Sequence, residues 1–144
     1  MINNDSNEIG KKMLTFEDFA RIVMAEVDNL PEYVHDELNG GVLVDSSVYL
    51  HPGRVADDLY ILGTYSVDPL LGKQIVIYYG SFVSTLQNAS ESVYRDKIRE
   101  TVRHEFLHHL ETKAGLLTRG SLMEEDDRRM MEYYKSHIDR KTGL

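Results

Sequence analysis

The sequence predicts an α+β fold in which a small mixed or antiparallel sheet of three to four strands is packed by helices. Three observations predict this class: apolar residues at helical spacing early in the chain, then short runs rich in Val, Ile and Tyr, then a long helical pattern. The 144 residues suffice for a single domain, expected over residues 15–139. Residues 1–14 are expected to form a polar, disordered leader, and residues 140–144 are expected to form a tail.

The first predicted helix begins after Thr15, because Thr15 and Asp18 form a variant capping box. Its apolar positions at helical spacing are Phe16, Phe19, Ala20, Val23, Met24 and Val27. A short second helical segment over residues 31–38 should stop at Asn39-Gly40-Gly41, which is a turn signal. We expect the first helix to cover the sheet.

Three strands are predicted in the middle of the chain, at residues 42–44, 59–65 and 74–79, with a possible extension of the first through 48–50. The turn at 68–72, Asp-Pro-Leu-Leu-Gly, would join the last two as an antiparallel hairpin. Gly63 lies inside the second strand and indicates either a packing contact or a wall for an extended ligand. Residues 80–88 are expected to form a loop.

A long helix is predicted over residues 91–113, capped by Ser90 and closed by Ala114-Gly115. It contains His104-Glu105-Phe106-Leu107-His108, a His-Glu-x-x-His motif. His104 and His108 lie one turn apart, close enough for both imidazoles to bind one tetrahedral Zn²⁺. Glu105 points aside from them, where a general base could reach a water on the metal.

The same helix carries an apolar stripe opposite the two histidines, formed by Ile98, Val102, Phe106 and Leu110. One face should therefore pack on a core while the other lines a cleft. His109 projects toward the apolar side, which indicates a structural histidine. The alternative is that the motif residues are solvated helix residues that share this spacing by chance.

Two histidines do not complete a catalytic zinc site, which usually has three protein ligands. The chain contains no cysteine, so a carboxylate is expected. Glu111 shares the histidine stripe but lies about 10 Å from His104 along the helix axis, too far to share one ion. The best suppliers are the carboxylates at 124–127, which open a last predicted helix at 122–137, although acidic residues there also suit the helix dipole.

The other histidines, His35, His51 and His137, are isolated in the sequence and are expected to be surface or structural residues. Tyr133, Tyr134 and His137 could stabilise an oxyanion if the last helix lies over the cleft, but aromatic residues at that spacing more often belong to a core.

Composition restricts the partners. The net charge of −8 argues against nucleic acid, because phosphate binding relies on an excess of Lys and Arg. The basic residues Arg95, Lys97, Arg99 and Arg103 alternate with acidic ones, as on a solvated helix face. The sequence shows neither an apolar signal region nor a run that could span a membrane. We expect a cytoplasmic protein without membrane or nucleic-acid partners.

Several segments together resemble the small bacterial zincin-like metallopeptidases, also called minimal zincins. These segments are TFEDF, LPEYVHDELNGGV, LHPGR, DDLYILGTY, DPLLGKQIVIYYGSF and TVRHEFLHHLE. The resemblance implies a compact minimal zincin-like fold, presumed peptidase activity, and one Zn²⁺ bound by His104, His108 and a downstream acidic residue, with Glu105 as the base. Leu122-Met123-Glu124-Glu125-Asp126 is similar to the Leu-x-x-Glu-Asp pattern of that family and implies Asp126 as the third ligand. Residues 116–120 look longer than in the family, which leaves Glu125 and Asp127 as alternatives.

The leading hypothesis is a zinc-dependent metallopeptidase that hydrolyses peptide bonds with Glu105 as general base. The alternative is a non-catalytic module that binds a peptide or protein and has a structural metal site, for which a base would be superfluous. A metal-free structural protein would leave the histidine stripe unexplained. Imidazole and carboxylate ligands also accept Mn²⁺, Fe²⁺ or Ni²⁺, and the sequence predicts neither a cleavage preference nor an oligomeric state.

Overall fold

The computed structural model describes residues 14–53 and 59–115. In chain order these form α1 (Phe16–Asp28), a 3₁₀ turn (Glu32–His35), β1 (Gly41–Asp45), β2 (Gly63–Asp68), β3 (Gly72–Tyr78), α2 (Tyr79–Leu86) and α3 (Glu91–Lys113). The predicted last helix at 122–137 and nearly all of the predicted leader lie outside the described residues. The domain limits therefore stay a prediction.

The sheet has three strands in the order β1-β3-β2. β1 runs parallel to β3, whereas β2 pairs with β3 in antiparallel register from Gly63 opposite Ile77 to Asp68 opposite Gly72. Helices pack against this mixed sheet, and the predicted α+β class is confirmed at that level. The predicted hairpin is also confirmed.

The hairpin turn follows from two local features. The Asp68 carboxylate accepts hydrogen bonds from the backbone N–H groups of Leu70 at 2.7 Å and Leu71 at 2.9 Å. These two bonds hold the pKa of the Asp68 carboxyl below its ordinary value, and the bond from Leu71 has the larger effect. Gly72 then adopts a φ of +84°, which a side chain would disfavour, and starts β3.

The predicted strand boundaries were wrong at residues 59–62 and at the possible extension through 48–50. The predicted strand at 59–65 becomes regular only at Gly63 and continues to Asp68. Before that point the chain makes a single antiparallel bridge, between Tyr60 and Leu50, flanked by two backbone hydrogen bonds. Residues 48–50 therefore do not extend β1, because their pairing is local and too short to form a strand.

The predicted loop at 80–88 was also wrong, since α2 occupies Tyr79–Leu86. Tyr79, Phe82, Val83 and Leu86 fall at helical spacing, and Phe82 is fully buried. Gly80 suggested a loop but has a packing reason: a Cβ there would lie 2.7 Å from the backbone of Ser47. The buried Ser81 hydroxyl accepts a hydrogen bond from the Tyr49 N–H at 2.9 Å, which also holds the start of α2 against the chain at residues 47–49.

The two predicted long helices begin at their predicted caps. Thr15 Oγ1 accepts from the Asp18 N–H at 3.1 Å, and Ser90 Oγ accepts from the Val93 N–H at 3.3 Å. The Asp18 carboxylate pairs with Arg21 at 2.7 Å, so only one half of the predicted capping box is seen. At the end of α3, Gly115 has the positive φ of +72° that commonly terminates a helix.

The core lies between the sheet and helices α1 and α3. Phe19 and Val23 of α1, Ile75 and Ile77 of β3, and Ile98 of α3 are at most 1% exposed. Burying each such side chain stabilises the fold by about 1.5–3 kcal/mol. Within residues 14–53 and 59–115, no helix combines the length and apolar character needed to cross a bilayer.

Candidate metal centre

Helix α3 carries the His-Glu-x-x-His motif in its C-terminal half. His104 Nε2 and His108 Nε2 lie 3.1 Å apart, and their rings meet edge to face with centroids 4.7 Å apart. Both side chains are half-buried. The helical repeat places them one above the other, as the spacing predicts. The two imidazoles converge on one point beside the helix.

The donor atoms have the spacing of a metal site. With Zn–N bonds of 2.0–2.1 Å, two nitrogens of a tetrahedral site lie about 3.3 Å apart, close to the observed separation. One Glu105 carboxylate oxygen and the two imidazole nitrogens all lie within 4.8 Å of one another. Neutral imidazole and carboxylate are the donors that Zn²⁺ accepts in cysteine-free sites. The donor set of the described residues therefore fits a zinc ion, to which the two imidazoles could each offer a nitrogen.

Glu105 is only 5% exposed and lies where α3 passes the first residue of β2. A Cβ on Gly63 would be 3.2 Å from Glu105 Cγ, and 3.1 Å from both Ile77 Cδ1 and Thr101 Cγ2. The packing interpretation of Gly63 is confirmed, because any side chain there would press on the helix. The same contact places β2 directly beside Glu105.

The buried face of α3 is wider than the predicted apolar stripe. Ile98, Val102 and Phe106 are buried as expected, while Leu110 is half-buried. Thr101, Glu105, His109 and Glu111 are buried as well. Helix α3 packs on α1 along one side and on the sheet along the other. Glu111 is thus not a solvated carboxylate, and Glu105 belongs to the side that faces the sheet.

His109 is a structural histidine, as predicted. It is fully buried, its Nε2 lies 2.8 Å from the carbonyl oxygen of Asp36, and its Nδ1 lies 3.0 Å from the hydroxyl of Tyr65. Because a carbonyl only accepts, Nε2 carries the proton and Nδ1 accepts from Tyr65 in the neutral ring. Burial lowers the pKa of His109 despite the opposing effect of the Asp36 carbonyl, so the ring is held neutral.

Tyr65 is a residue near the motif that sequence reasoning missed. Its ring lies 6.4 Å from that of His108, inclined by 30°, and 5.4 Å from that of His109. Burial raises the pKa of its phenol, against a lowering by the Thr112 side chain, so the hydroxyl remains a donor. The available signal was the alternation of β2, which puts Tyr65 on the same face as Gly63.

The remaining candidates divide into two groups. The His35 ring packs edge to face on Phe106 at 5.3 Å, and His51 Nδ1 accepts from the Gly53 N–H at 2.8 Å, so both have structural contacts. The third-ligand candidates, Asp126 with its alternatives Glu125 and Asp127, lie outside the described residues. So do Tyr133, Tyr134 and His137. These assignments stay predictions.

The basic residues before the motif are engaged by acidic ones. Arg95 pairs with Glu91 at 2.8 Å, Lys97 with Glu100 at 3.1 Å, and Arg99 with Asp96 at 3.4 Å. Arg99 also contacts Glu26 of α1 at 3.4 Å, which ties the two helices together. The predicted solvated face is confirmed for these residues, and each exposed pair contributes at most about 1 kcal/mol.

No protein-family model and no curated protein matches this chain. Among solved structures, the chain is similar to one described as a conserved hypothetical protein from Thermus thermophilus, with 30% sequence identity and a TM-score of 0.60. The alignment covers 70% of this chain and 98% of the other. The similarity therefore extends over nearly the whole of that protein.

Proposed function

The chain belongs to the family of the conserved hypothetical protein from Thermus thermophilus, and we propose that it is a zinc-dependent peptidase of the zincin type. One observation carries the proposal: the Nε2 atoms of His104 and His108 lie 3.1 Å apart, and a Glu105 oxygen lies within 4.8 Å of a nitrogen of each ring. A structural zinc site needs no general base, whereas hydrolysis requires one. We propose one Zn²⁺ per chain, with Asp126 as its third ligand.

A zinc ion at this position would polarise a peptide carbonyl and lower the pKa of an attacking water. Glu105 accepts a proton from that water while the water oxygen bonds to the carbonyl carbon. The C–N bond then breaks, and Glu105 delivers the proton to the leaving nitrogen. The buried position of Glu105 against Thr101 and Gly63 restricts its side chain, which keeps the carboxylate directed toward the two imidazoles.

The position of β2 supports a peptide as the substrate. In the sheet order β1-β3-β2, β2 has one strand neighbour among the described residues, and its first residue contacts Glu105. An extended peptide can hydrogen-bond to the other edge of such a strand. A peptide bound there would pass close to the carboxylate.

The substitution Glu105→Gln tests the proposal. The amide is nearly isosteric and Glu105 is not a proposed ligand, so the variant should retain its zinc while hydrolysis falls by about 10²- to 10⁴-fold. Glu100→Gln is a matched control, since Glu100 lies on the same helix with its side chain 69% exposed. Zinc is measured by elemental analysis, and cleavage of a broad pool of unfolded peptides by mass spectrometry.

Equal cleavage by the parent and Glu105→Gln would refute the role of the base. A zinc-loaded parent that cleaves nothing, while its Glu105→Gln variant retains peptides from the same pool, would instead favour a binding module with a structural metal. Chelated parent protein gives the background rate in both cases.

A further inference from the structure

Tyr65 lies across the sheet-facing side of the motif helix, next to two consecutive histidines. Its ring centroid is 6.4 Å from that of His108 with an interplanar angle of 30°, and 5.4 Å from that of His109 at 54°. Both distances fall in the 4.5–7 Å range in which aromatic rings attract each other. The phenol ring of β2 is therefore a direct neighbour of one proposed ligand.

The hydroxyl of Tyr65 is held by His109, beside a further interaction with the Thr112 side chain. Both ring nitrogens of His109 are used: Nε2 donates to the Asp36 carbonyl oxygen at 2.8 Å, and Nδ1 accepts from the Tyr65 hydroxyl at 3.0 Å. His109 is fully buried, so solvent does not reach the ring to replace either partner. The hydroxyl of Tyr65 is thereby held at one point above α3.

A ring held in this way restricts its neighbour. The His108 imidazole lies edge to face with His104 at 71°, and its plane is inclined by only 30° to the Tyr65 ring. Rotation of the His108 ring about its Cβ–Cγ bond would change its 30° inclination to the phenol ring. The same rotation would move Nε2 away from the 3.1 Å approach to His104 Nε2.

We propose that Tyr65 is a positioning residue of the metal centre, which holds the His108 imidazole in its ligating orientation through ring contact and is itself oriented by its hydrogen bond to His109. The inference rests on the proposed metal site at His104 and His108. Partners that orient a metal-ligating histidine typically change metal affinity by about 10- to 100-fold when they are removed.

The experiment titrates the purified, metal-free full chain with Co²⁺, which accepts the same ligands as Zn²⁺ and whose visible absorption reports ligand geometry. The variants are Tyr65→Phe, which keeps the ring and removes the hydroxyl, and Tyr65→Leu, which removes the ring. Tyr94→Phe is the matched control, because Tyr94 lies at the start of α3, ten residues before His104, and its hydroxyl donates to the Gln87 carbonyl at 2.7 Å. Thermal unfolding of each metal-free variant measures the structural cost separately.

We expect the Kd for Co²⁺ to rise by about 10-fold in Tyr65→Phe and by up to about 100-fold in Tyr65→Leu, with an altered absorption band in both. Tyr94→Phe should lose stability without changing the Kd or the band. If Tyr65→Phe and Tyr94→Phe lose similar stability and both bind Co²⁺ like the parent, the positioning role is refuted while the metal site stands. A parent chain that binds no Co²⁺ would refute the metal site and, with it, this inference.

Discussion

Replacing Gly63 by alanine tests how closely β2 and α3 must approach. The added Cβ would lie 3.1 Å from Ile77 Cδ1 and Thr101 Cγ2, and 3.2 Å from Glu105 Cγ. Carbon atoms prefer about 3.5–4.0 Å, so three contacts are too short by a few tenths of an ångström each. Overpacking of this kind costs about 1–3 kcal/mol. The lower entropy of the unfolded alanine chain offsets about 0.4–1 kcal/mol of that.

The expected net loss is about 1 kcal/mol, or roughly 2–4 °C in melting temperature for a chain of this size. Denaturant unfolding measures it, with Ser66→Ala at an exposed position of the same strand as control. Thr101→Ser removes the clashing methyl group and keeps the hydroxyl that donates to the Lys97 carbonyl at 2.8 Å. The double variant Gly63→Ala/Thr101→Ser should therefore recover part of the loss. Strictly additive effects of the two substitutions would refute the proposed contact.

Three further predictions concern the metal centre and the hairpin. His104→Ala should hold almost no zinc by elemental analysis, and a zinc content equal to that of the parent would remove the basis of the site. Asp126→Ala should weaken zinc binding far more than Asp127→Ala in a titration, and the reverse order would mean that the third ligand lies one position later. Asp68→Asn should lower the melting temperature at pH 7, because the lowered pKa of Asp68 contributes stability above its unfolded pKa of about 3.9. This difference from the parent should vanish as the pH falls through the folded pKa, and a difference that persists in acid would contradict the assigned hydrogen bonds.

Elements with strong local signals could be predicted from the sequence. The caps Thr15 and Ser90, the turn at 68–72 and the spacing of His104 and His108 each act over a few residues, and each was found where expected. Helix α2 was missed because Gly80 is a local loop signal, while its reason for being there is a contact with Ser47, more than thirty positions earlier. A local pattern carries no information about such a neighbour.

In the candidate site, too, the local features could be predicted from the sequence and the long-range contacts could not. The motif supplies the two imidazoles and the carboxylate, since all three lie within five consecutive residues. The contact between Tyr65 and His109 joins residues 44 positions apart, and the burial of Glu105 depends on the side of α3 that the sheet covers. Periodicity alone gave one apolar stripe, whereas the helix packs on both α1 and the sheet. Those facts depend on tertiary packing.

The two hydrogen bonds of His109 also bear on when the imidazole pair acquires its geometry during folding. They join α3 to Tyr65, 44 residues earlier, and to Asp36, 73 residues earlier. Contacts across such separations form late, because a long loop must close before they are made. A ligand that binds this imidazole pair only in the native state would stabilise it by mass action, by about 2.7 kcal/mol at a hundred times its Kd. Under that condition the melting temperature of the protein reports how much metal is available to it.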